Sequence, residues 1–468
     1  MDRDFLRDRS VLVMGLGRFG GGLDVARFAC RAGARVTVTD LASTEALAGT
    51  LAQLADCPID YHLGGHREED FGPDGADVVV VNPAVPPDNR YLAIARAAGK
   101  PITSQVELFF ELCPACIVGI TGSNGKSTTT LLTAHILRAG LQSDPREVWL
   151  GGNIGNEMWL SEVEHIQPED VAVLELSSFQ IEQLARIRRG PHIAVITNLT
   201  PNHLDRHGTF EAYCDAKENL FRHQPLDAER PCVSIFNADD PVTCSWYERY
   251  RRQPGRRCRL FSPDEVGPEL AEHFTLPGRA NRANLAAAMQ VAEALEVPRD
   301  RLGAAIASFR GLPHRLELVR EINGIRWYDD SKATTTPSAI AALEAFSCPR
   351  IVIAGGYDKH VPFDDFAAAL VRGAKAVVLI GATAPKIAEA IRPRDPEGRL
   401  IVQFADGLPQ AIAACADLAE AGDVVLLSTA CASYDMFDNY EHRAAVFRAE
   451  VDKLARTAPA TPSEPVSH

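Results

Sequence analysis

The sequence predicts an α/β protein built from three domains. Its 468 residues amount to about three times the length of a common domain. Short β-branched runs alternate with amphipathic stretches, the pattern of parallel sheets whose strands are joined by helices. Glycine-rich turns follow several of the apolar runs, so we expect functional groups at the carboxyl ends of the strands.

The composition disfavours several classes of protein. The chain carries 48 basic and 62 acidic residues, a net charge of −14, whereas a duplex-binding surface must neutralise phosphates. No apolar run reaches the roughly 18 residues of a membrane span, and the N-terminus is too charged for a signal peptide. We therefore expect a cytoplasmic protein that binds neither nucleic acid nor a membrane. We also expect it to be a monomer whose partners are small-molecule substrates.

The first predicted domain, residues 1–112, begins with a dinucleotide-type fingerprint. The apolar run 10–14 leads into GLGRFG at 15–20, and a helical pattern follows before the β-branched run 35–39. The glycines permit a tight turn and close helix packing, and Asp40 can accept hydrogen bonds from a ribose or a base. This arrangement is Rossmann-like, and NAD is one nucleotide that would fit it.

A second buried strand of this domain is predicted at 77–81. It runs into the proline-rich loop 82–87, which is rigid and lies where a strand should end. Open α/β sheets bind their ligands in crevices at such ends. The first domain is therefore expected to hold a nucleotide, although the fingerprint alone leaves open which one.

The central domain, residues 113–311, carries a phosphate-binding loop. Strand, glycine-rich turn and helix follow one another in CIVGITGSNGKSTTT, which starts at Cys116. Gly122 and Gly125 let backbone N–H groups point at phosphate oxygens. Lys126 supplies a cation and Ser127 a hydroxyl suited to Mg²⁺. The strict pattern needs a glycine two residues before Gly122, where this chain has isoleucine, so the loop is a P-loop ATPase-like variant.

Two further strands of the central domain end in groups that could hold a metal. Glu175 lies near the end of the predicted strand 171–176, where a carboxylate beside a phosphate-binding loop can hold Mg²⁺ directly or through water. His203 and His207 follow the strand 192–198 and stand four residues apart. Because no third ligand accompanies them, zinc is disfavoured.

The remainder of the central domain predicts less specific features. Lys217 lies in an amphipathic helical pattern and by itself would be an ordinary surface lysine. The basic segment 251–259 contains proline and glycine and predicts a solvated loop. An alanine-rich helix then presents Asn281 and Asn284 on one face, three positions apart.

The third domain, residues 312–456, alternates predicted strands and helices and is again Rossmann-like α/β. Its predicted strands are 325–329, 350–354, 376–380 and 423–427. We expect them to pair in parallel, because helical crossovers join them. Polar segments that follow these strands, and should share one sheet edge, are 330–334, 355–360 and 428–434. The Pro/Ser/Thr-rich tail, 457–468, is expected to be disordered.

In this order the motifs resemble the Mur ligases over nearly the whole chain. The segments that carry the resemblance are GITGSNGKST, GGNIG, LELSSFQIE, NLTPNHLDRHGTFEAYCDAK, NADD, GLPHRLE, DDSKATT and LLSTACASYDMFDNYEHR. SSFQ and DSKAT favour the branch that adds D-glutamate over the branches that add L-alanine, a diamino acid or a dipeptide. The resemblance implies ATP-dependent ligation of D-glutamate to UDP-N-acetylmuramoyl-L-alanine in peptidoglycan precursor synthesis, through an acyl phosphate and a tetrahedral intermediate.

The resemblance also implies the site residues. Catalysis would involve Lys126, Glu175, His203 and Lys217. Two Mg²⁺ ions would be held by Ser127, Glu175, His203 and Lys217, the last matching a lysine that is carbamylated with CO₂ in the family. ATP would contact Gly122, Ser123, Asn124, Gly125, Lys126, Ser127, Thr128, Asn281, Arg315, Asp330 and Lys332. The UDP-linked substrate would contact Arg18, Phe19, Asp40, Leu41, Ala84 and Asn153, and D-glutamate Thr334, Lys359, Ser433 and Tyr440.

Three alternatives stay open at this point. The chain could be a sister ligase, such as a folylpolyglutamate synthase or another Mur enzyme. It could be an NAD-dependent dehydrogenase that uses the GLGRFG turn. It could also be a regulator that binds ATP without turning it over. The amino acid that supports ADP release, tight binding of NAD, and the effect of Lys126→Ala on turnover separate these alternatives.

Overall fold

The structure, a computed structural model, describes residues 4–17, 20–142, 145–154 and 159–457. The chain divides into two compact units. The first runs to His273 and includes Ala283–Ala307, and the second comprises Phe274–Arg282 and the chain from Ser308 onward. Two sheets lie in the first unit and one in the second, and the predicted α/β class is confirmed. The domain boundaries at 112/113 and 311/312 stay predictions.

The first sheet carries the fingerprint turn at its centre. Its strands are β1 (Ser10–Met14), β2 (Arg35–Asp40), β3 (Ile59–Leu63), β4 (Val78–Val81) and β5 (Ile102–Thr103). The helices of this region are α1 (Gly21–Arg31), α2 (Ala48–Ala52), α3 (Arg90–Ala97) and α4 (Gln105–Leu112). All strand pairs are parallel in the order β3-β2-β1-β4-β5. The order reverses between β1 and β4, so the loops after these two strands flank a crevice.

The second sheet carries the phosphate-binding loop. Its strands are β6 (Cys116–Thr121), β7 (Val148–Gly152), β8 (Val171–Glu175), β9 (Ile193–Ile196), β10 (Cys232–Asn237) and β11 (Arg256–Phe261). The helices that follow in this part of the chain are α5 (Lys126–Gly140), α6 (Ser178–Ile187), α7 (Leu204–His207), α8 (Phe210–Arg222), α9 (Pro241–Tyr250), α10 (Pro268–His273), α11 (Arg279–Ala294) and α12 (Arg299–Ser308). The strands are parallel in the order β11-β10-β9-β6-β8-β7, so β6 lies between β8 and β9.

The prediction of a solvated loop at 251–259 is wrong in its second half, which belongs to edge strand β11. This strand pairs with β10 along its whole length. Its Arg256 is buried, and its guanidinium donates to Gln224 Oε1 and Ser234 Oγ, both at 2.7 Å. The basic composition of this segment predicted exposure to solvent. An arginine can nevertheless be buried in a strand when its donors are paired, as those of Arg256 are.

The third sheet forms the core of the second unit. Its strands are β12 (Glu317–Ile322), β13 (Ile325–Asp329), β14 (Arg350–Ala354), β15 (Ala376–Leu379), β16 (Ile401–Phe404) and β17 (Val424–Leu427). Its helices are α13 (Thr336–Glu344), α14 (Asp364–Gly373), α15 (Ala384–Ile391), α16 (Leu408–Leu418) and α17 (Tyr440–Thr457). The strand order is β12-β13-β17-β14-β15-β16.

The expectation of an entirely parallel third sheet is wrong at one edge. Strand β12 pairs with β13 in the antiparallel sense, and the remaining pairs are parallel. The two strands are joined by Asn323 and Gly324, both with positive φ, at 51° and 76°. Asn-Gly is the dipeptide most typical of a tight β-hairpin turn, so the sequence did contain this signal.

Helix α17 contacts the loops that follow β13 and β17, at the carboxyl ends of these strands in the third sheet. Arg443, which is 1% exposed, donates from Nε to Ser331 Oγ at 2.9 Å and from Nη2 to Ser331 O at 2.7 Å. Its Nη1 donates to Cys431 O at 3.1 Å.

The helix ends at Thr457, and the rest of the predicted tail lies outside the described residues. A helix of the length and apolarity needed to span a bilayer is absent from the described residues.

Replacing Arg443 by methionine should destabilise the second unit. The carbonyls of Ser331 and Cys431 would lose buried donors, so we expect the free energy of unfolding to fall by about 2–4 kcal/mol. Equilibrium urea unfolding measures the change. Lys453→Met on the same helix removes an exposed charge and should cost at most about 0.5 kcal/mol. Equal unfolding curves for the two variants would contradict the role of Arg443.

Candidate active site

The phosphate-binding loop depends on two glycines in left-handed or unusual backbone conformations. Gly122 has φ 146° and Gly125 has φ 79°. A Cβ at Gly122 would lie 1.9 Å from Thr197 Oγ1, and one at Gly125 would lie 2.3 Å from Asn284 Oδ1. Both positions therefore require glycine for space as well as for conformation.

The loop is held by the segment that follows β9. The N–H of Ser123 donates to Asn198 O at 2.8 Å, and the N–H of Asn124 donates to Asn198 Oδ1 at 3.0 Å. Thr197 Oγ1 donates to Asn124 O at 2.6 Å. The N–H groups at the start of the loop are thus occupied by Asn198, a residue to which the sequence argument gave no role.

An anion is favoured instead at the first turn of α5. The N–H of Thr129 is the first to donate within this helix, to Gly125 O at 2.9 Å. The N–H groups of Lys126, Ser127 and Thr128 therefore lie at the positive end of a 15-residue helix. Lys126 Nζ donates to Ser123 O at 2.9 Å, which folds its ammonium back over the loop.

Lys217 is buried directly behind this loop, so the expectation of an ordinary surface lysine is wrong. The residue is 1% exposed, and its Nζ donates to Thr121 Oγ1 at 3.0 Å, 4.9 Å from the centroid of the Tyr213 ring. Lys217 lies four positions after Tyr213 and three before Leu220, on the buried stripe of α8. That spacing was visible in the sequence and indicated burial.

Burial lowers the pKa of Lys217 well below its ordinary value. The nearby cation of Lys126 lowers this pKa further, and the carboxylate of Glu175 opposes both effects. Desolvation and like charge both disfavour the ammonium form, so this site favours the neutral amine more than a solvated surface does. The neutral amine is the nucleophilic form of lysine, and the ammonium form is not.

Glu175 presents an unsatisfied oxygen beside the loop. Its side chain is 2% exposed, and Oε1 accepts a hydrogen bond from Asn153 Nδ2 at 3.1 Å. Its Oε2 is buried and accepts no hydrogen bond within the described part of the chain. A buried carboxylate oxygen without a donor is costly unless a cation completes its environment. The residue therefore fits Mg²⁺, which prefers carboxylate and hydroxyl oxygens.

The two histidines after β9 both pack against Phe179, and desolvation lowers the pKa of both. Desolvation, followed by the cations of Lys126 and Lys217, lowers the pKa of His203 and favours the neutral imidazole that a metal ligand needs. His207 instead has its Nε2 3.0 Å from Ser178 Oγ and stacks on Phe179, with ring centroids 5.6 Å apart. His207 thus packs into the protein, and the two histidines do not form a zinc pair.

Residues predicted to bind the UDP-linked substrate in the first sheet lie at the end of β2 and in the loops that follow β2 and β4. Asp40 accepts hydrogen bonds from the N–H groups of Gly17 at 3.1 Å and Ala42 at 2.8 Å. Leu41 is 71% exposed, and the N–H of Ala84 donates to the side chain of Asn82 at 3.0 Å. The other two predicted contacts in this sheet, Arg18 and Phe19, lie outside the described residues.

In the second unit, Asp330 is the most perturbed of the predicted ATP contacts. It is 4% exposed, and burial raises its pKa to about 7. Ser428 Oγ and the N–H of Leu316 donate to it at 2.7 Å and 3.2 Å. Lys332 lies two residues further on, in the loop after β13. Asn281 belongs to the same unit and donates from Nδ2 to Pro277 O at 2.7 Å.

The residues predicted to bind D-glutamate converge at the edge of the third sheet. Lys359, after β14, donates from Nζ to the carbonyl of Thr334, after β13, at 3.5 Å. Ser433 is buried after β17, the strand that lies between those two. Tyr440 begins α17, and its ring centroid lies 5.8 Å from Lys332 Nζ. This side of the sheet thus combines ammonium and hydroxyl groups, which suit carboxylates.

Two residues of the site escaped the sequence argument. Asn198 fixes the start of the phosphate-binding loop, as described above. Asn284, on α11, accepts from Thr129 Oγ1 at 3.1 Å and closes over Gly125. The helical spacing of Asn284 from Asn281 is visible in the sequence, but only the tertiary structure shows that Asn284 reaches the loop.

Three family models match successive parts of the chain. The N-terminal domain of MurD-like Mur ligases matches residues 9–104, the Mur ligase middle domain matches 120–266, and the glutamate ligase domain of Mur ligases matches 314–431. Together they cover the strands of the three sheets, apart from most of β6, which begins at Cys116.

The chain is also similar to curated proteins along nearly its full length. It is 42% identical to the UDP-N-acetylmuramoylalanine--D-glutamate ligase of Roseiflexus sp. (strain RS-1), over 96% of this chain and 99% of that protein. It is 37% identical to the protein of the same name from Symbiobacterium thermophilum, over 96% and 99%. The corresponding protein of Geobacter metallireducens is 38% identical, over 95% and 98%.

Solved structures share the fold at lower identity. The UDP-N-acetylmuramate-alanine ligase MurC from Thermotoga maritima superposes with a TM-score of 0.57 at 19% identity, covering 95% of this chain and 100% of that one. The MurF ligase from the same organism, solved in complex with ADP, gives a TM-score of 0.56 at 18% identity, covering 90% and 96%. These likenesses concern the fold alone.

Gly125→Ala should destabilise the first unit more than its backbone conformation alone requires. Asn284 is buried and bonded to Thr129, so it cannot yield easily to the new methyl group. We expect a loss of about 2–3 kcal/mol, of which about 1 kcal/mol is the cost of a left-handed alanine. Gly64→Ala is the matched control, because Gly64 has φ 78° and nothing within 4 Å of its added Cβ. Equal losses in thermal unfolding would refute the steric argument.

Proposed function

Because this chain belongs to the Mur ligase family, we propose that it is an ATP-dependent ligase that joins D-glutamate to UDP-N-acetylmuramoyl-L-alanine. The similarity to ligases of that name covers nearly the full length of the chain. The observation that carries the proposal is the buried Glu175 oxygen without a partner, beside a phosphate-binding loop and two lysines. Such a group of charges suits the transfer of a phosphoryl group to a carboxylate.

The proposed reaction has two steps. The carboxylate of the UDP-linked substrate attacks the γ-phosphorus of ATP, and ADP leaves as the acyl phosphate forms. The amine of D-glutamate then attacks the acyl carbon, and the tetrahedral intermediate collapses to the amide as phosphate departs. Both reactants of the first step are anions, so their approach depends on positive charge at the site.

Lys126 and the first turn of α5 supply that charge at the loop. Lys126 Nζ already lies within hydrogen-bonding distance of the loop, and the helix N-terminus orients N–H groups toward the phosphates. Ser127, Glu175, a neutral His203 and Lys217 are proposed to hold two Mg²⁺ ions. Bound Mg²⁺ supplies charge neutralisation for the approaching anions.

Lys217 can serve in that set only if its charge is reversed. Its neutral amine can attack CO₂, forming an N–C bond and losing a proton, so that a carbamate anion replaces the amine. Its low pKa supports this modification, because an ammonium has no lone pair to attack with. Burial against Thr121 would also shield the carbamate from hydrolysis.

Each remaining predicted contact receives a role in the proposal. In the second unit, Asn281, Arg315, Asp330 and Lys332 contact ATP, and Thr334, Lys359, Ser433 and Tyr440 bind D-glutamate. In the first unit, Arg18, Phe19, Asp40, Leu41, Ala84 and Asn153 contact the UDP-linked substrate. We further propose that the protein works as a monomer in the cytoplasm. The acidic net charge of −14 accords with small-molecule substrates rather than nucleic acid.

The proposal predicts ADP release only with the correct pair of substrates. Purified protein with ATP, Mg²⁺ and UDP-N-acetylmuramoyl-L-alanine should release ADP with D-glutamate, but not with L-alanine, a diamino acid or a dipeptide. Lys126→Ala should lower the rate by at least about 10²-fold, because a cation at the transferring phosphate is lost. Turnover with L-alanine or a diamino acid but not D-glutamate would overturn the assignment of substrate. ATP binding without any turnover would support a regulator instead.

A carboxylic acid should rescue a variant that lacks Lys217. Lys217→Ala leaves a buried space behind the loop and should lower turnover by about 10²-fold or more. Acetate or propionate can place a carboxylate where the carbamate would be, so either should restore part of the rate. Lys126→Ala is the matched control and should not respond, since it needs a cation. Failure of the acids to rescue Lys217→Ala would contradict the carbamate.

A further inference from the structure

A cluster of charged side chains lies at the start of the third sheet, and none of its members has a role in the proposed reaction. We call His314, Glu317, Asp329 and Arg448 the turn cluster. His314 Nδ1 lies 2.8 Å from Asp329 Oδ2. The N–H of the same histidine donates to Glu317 Oε2 at 2.9 Å. Asp329 therefore contacts the side chain of His314, and Glu317 contacts its main chain.

Arg448 joins the two carboxylates. Its Nη2 lies 2.5 Å from Glu317 Oε2 and 3.2 Å from Asp329 Oδ2. The Asp329 side chain is fully buried, and its Oδ1 also accepts from the N–H of Ser331 at 3.0 Å. Two carboxylates this close repel each other, and a buried one needs a charged partner. One guanidinium from α17 meets both requirements.

The turn that this cluster holds, together with Asp330, is strained. His314 has φ 62° and Leu316 has φ 45°, left-handed values that residues other than glycine seldom adopt. Such conformations persist only where surrounding contacts over-determine them. Here the N–H of His314 is held by Glu317, and the N–H of Leu316 is held by Asp330 at 3.2 Å. Arg315 lies between these two fixed points.

The cluster is better explained by this clamp than by a metal site. Ligand atoms of His314, Glu317 and Asp329 lie within 4.8 Å of one another, close enough for a cation. Arg448 already contacts both carboxylates, however, and its guanidinium offers them donors only. A metal ion would have to displace a bonded guanidinium from a partly buried position, at the expense of its hydrogen bonds.

We propose that Arg448 is a positioning residue, which acts through Glu317 and Asp329 to fix the turn 314–317 and thereby the direction of Arg315. The inference rests on the proposed function, in which Arg315 contacts ATP. The cluster lies entirely in the second unit. Without Arg448 the carboxylates separate, the strained turn relaxes, and Arg315 samples directions that do not meet the nucleotide.

The test measures nucleotide affinity in the full-length protein. Arg448→Met keeps the length of the stem and removes the guanidinium. It should raise the Kd of ADP and the KM for ATP by about tenfold, the penalty of a misdirected contact. The KM for D-glutamate should rise less, because His314 touches the D-glutamate residues only through an edge-on contact with the Tyr440 ring, with centroids 6.0 Å apart. Arg448→Lys keeps a cation within reach of the carboxylates and should recover much of the affinity.

Arg320→Met is the matched control. Arg320 pairs with Asp452 at 2.5 Å, so it also links β12 to α17 through a guanidinium and a carboxylate, but it lies away from the turn. This control should leave the Kd of ADP unchanged. If Arg448→Met lowers the melting temperature but not nucleotide affinity, or if it behaves like Arg320→Met, the positioning role is refuted.

A double variant tests whether the cluster acts as a unit. Asp329→Asn keeps an acceptor for Ser331 but removes the charge that Arg448 contacts. Combined with Arg448→Met it should raise the Kd of ADP no further than the more severe single change. Additive effects would refute the coupling. Wild-type protein that neither binds ADP nor releases it from ATP would instead overturn the proposed function, so the two failures are distinguishable.

Discussion

The burial of Lys217 behind the phosphate-binding loop is the constraint on which the candidate active site depends. Its amine bonds to Thr121 at the end of β6, the strand from which the loop starts. Two lysines and one glutamate thus share a small region, and neither lysine can be charged there without cost to the other. The Glu175 oxygen without a donor needs a cation, and the Mg²⁺ ions of the proposed reaction would supply one.

The second unit handles buried charge in the opposite way, by pairing it within the protein. Arg443 satisfies main-chain carbonyls after β13 and β17, and Arg448 bridges two carboxylates at the end of β13. Both come from α17, so one helix fixes the loops on this edge of the sheet. Buried charges whose partners lie within the protein make these loops rigid. The Glu175 oxygen without a hydrogen-bond donor can instead accept a ligand.

Much of the fold was predictable because local patterns agreed with tertiary structure. The β-branched run at β4 is buried throughout, as expected for a central parallel strand. The prediction failed where burial contradicted composition, at basic strand β11, and where a short-range signal was overlooked, at the Asn323-Gly324 hairpin. The prediction that Lys217 is a surface lysine failed for the first reason. Its charge indicated exposure, whereas its position on the apolar stripe of the helix indicated burial.

The sequence by itself determined the α/β class, the phosphate-binding loop, the order of the motifs and the resemblance to Mur ligases, because these depend on residues close together in the chain. Tertiary structure alone decided that Asn198 and Asn284 complete the loop and that Lys217 lies buried behind it. It also decided that Arg448 reaches Glu317 and Asp329, more than 100 residues away in the chain. The physical reason is that burial and charge pairing depend on which surfaces meet. The loop is a self-contained motif in the sequence, but in the structure it is held by residues that other strands and helices bring to it.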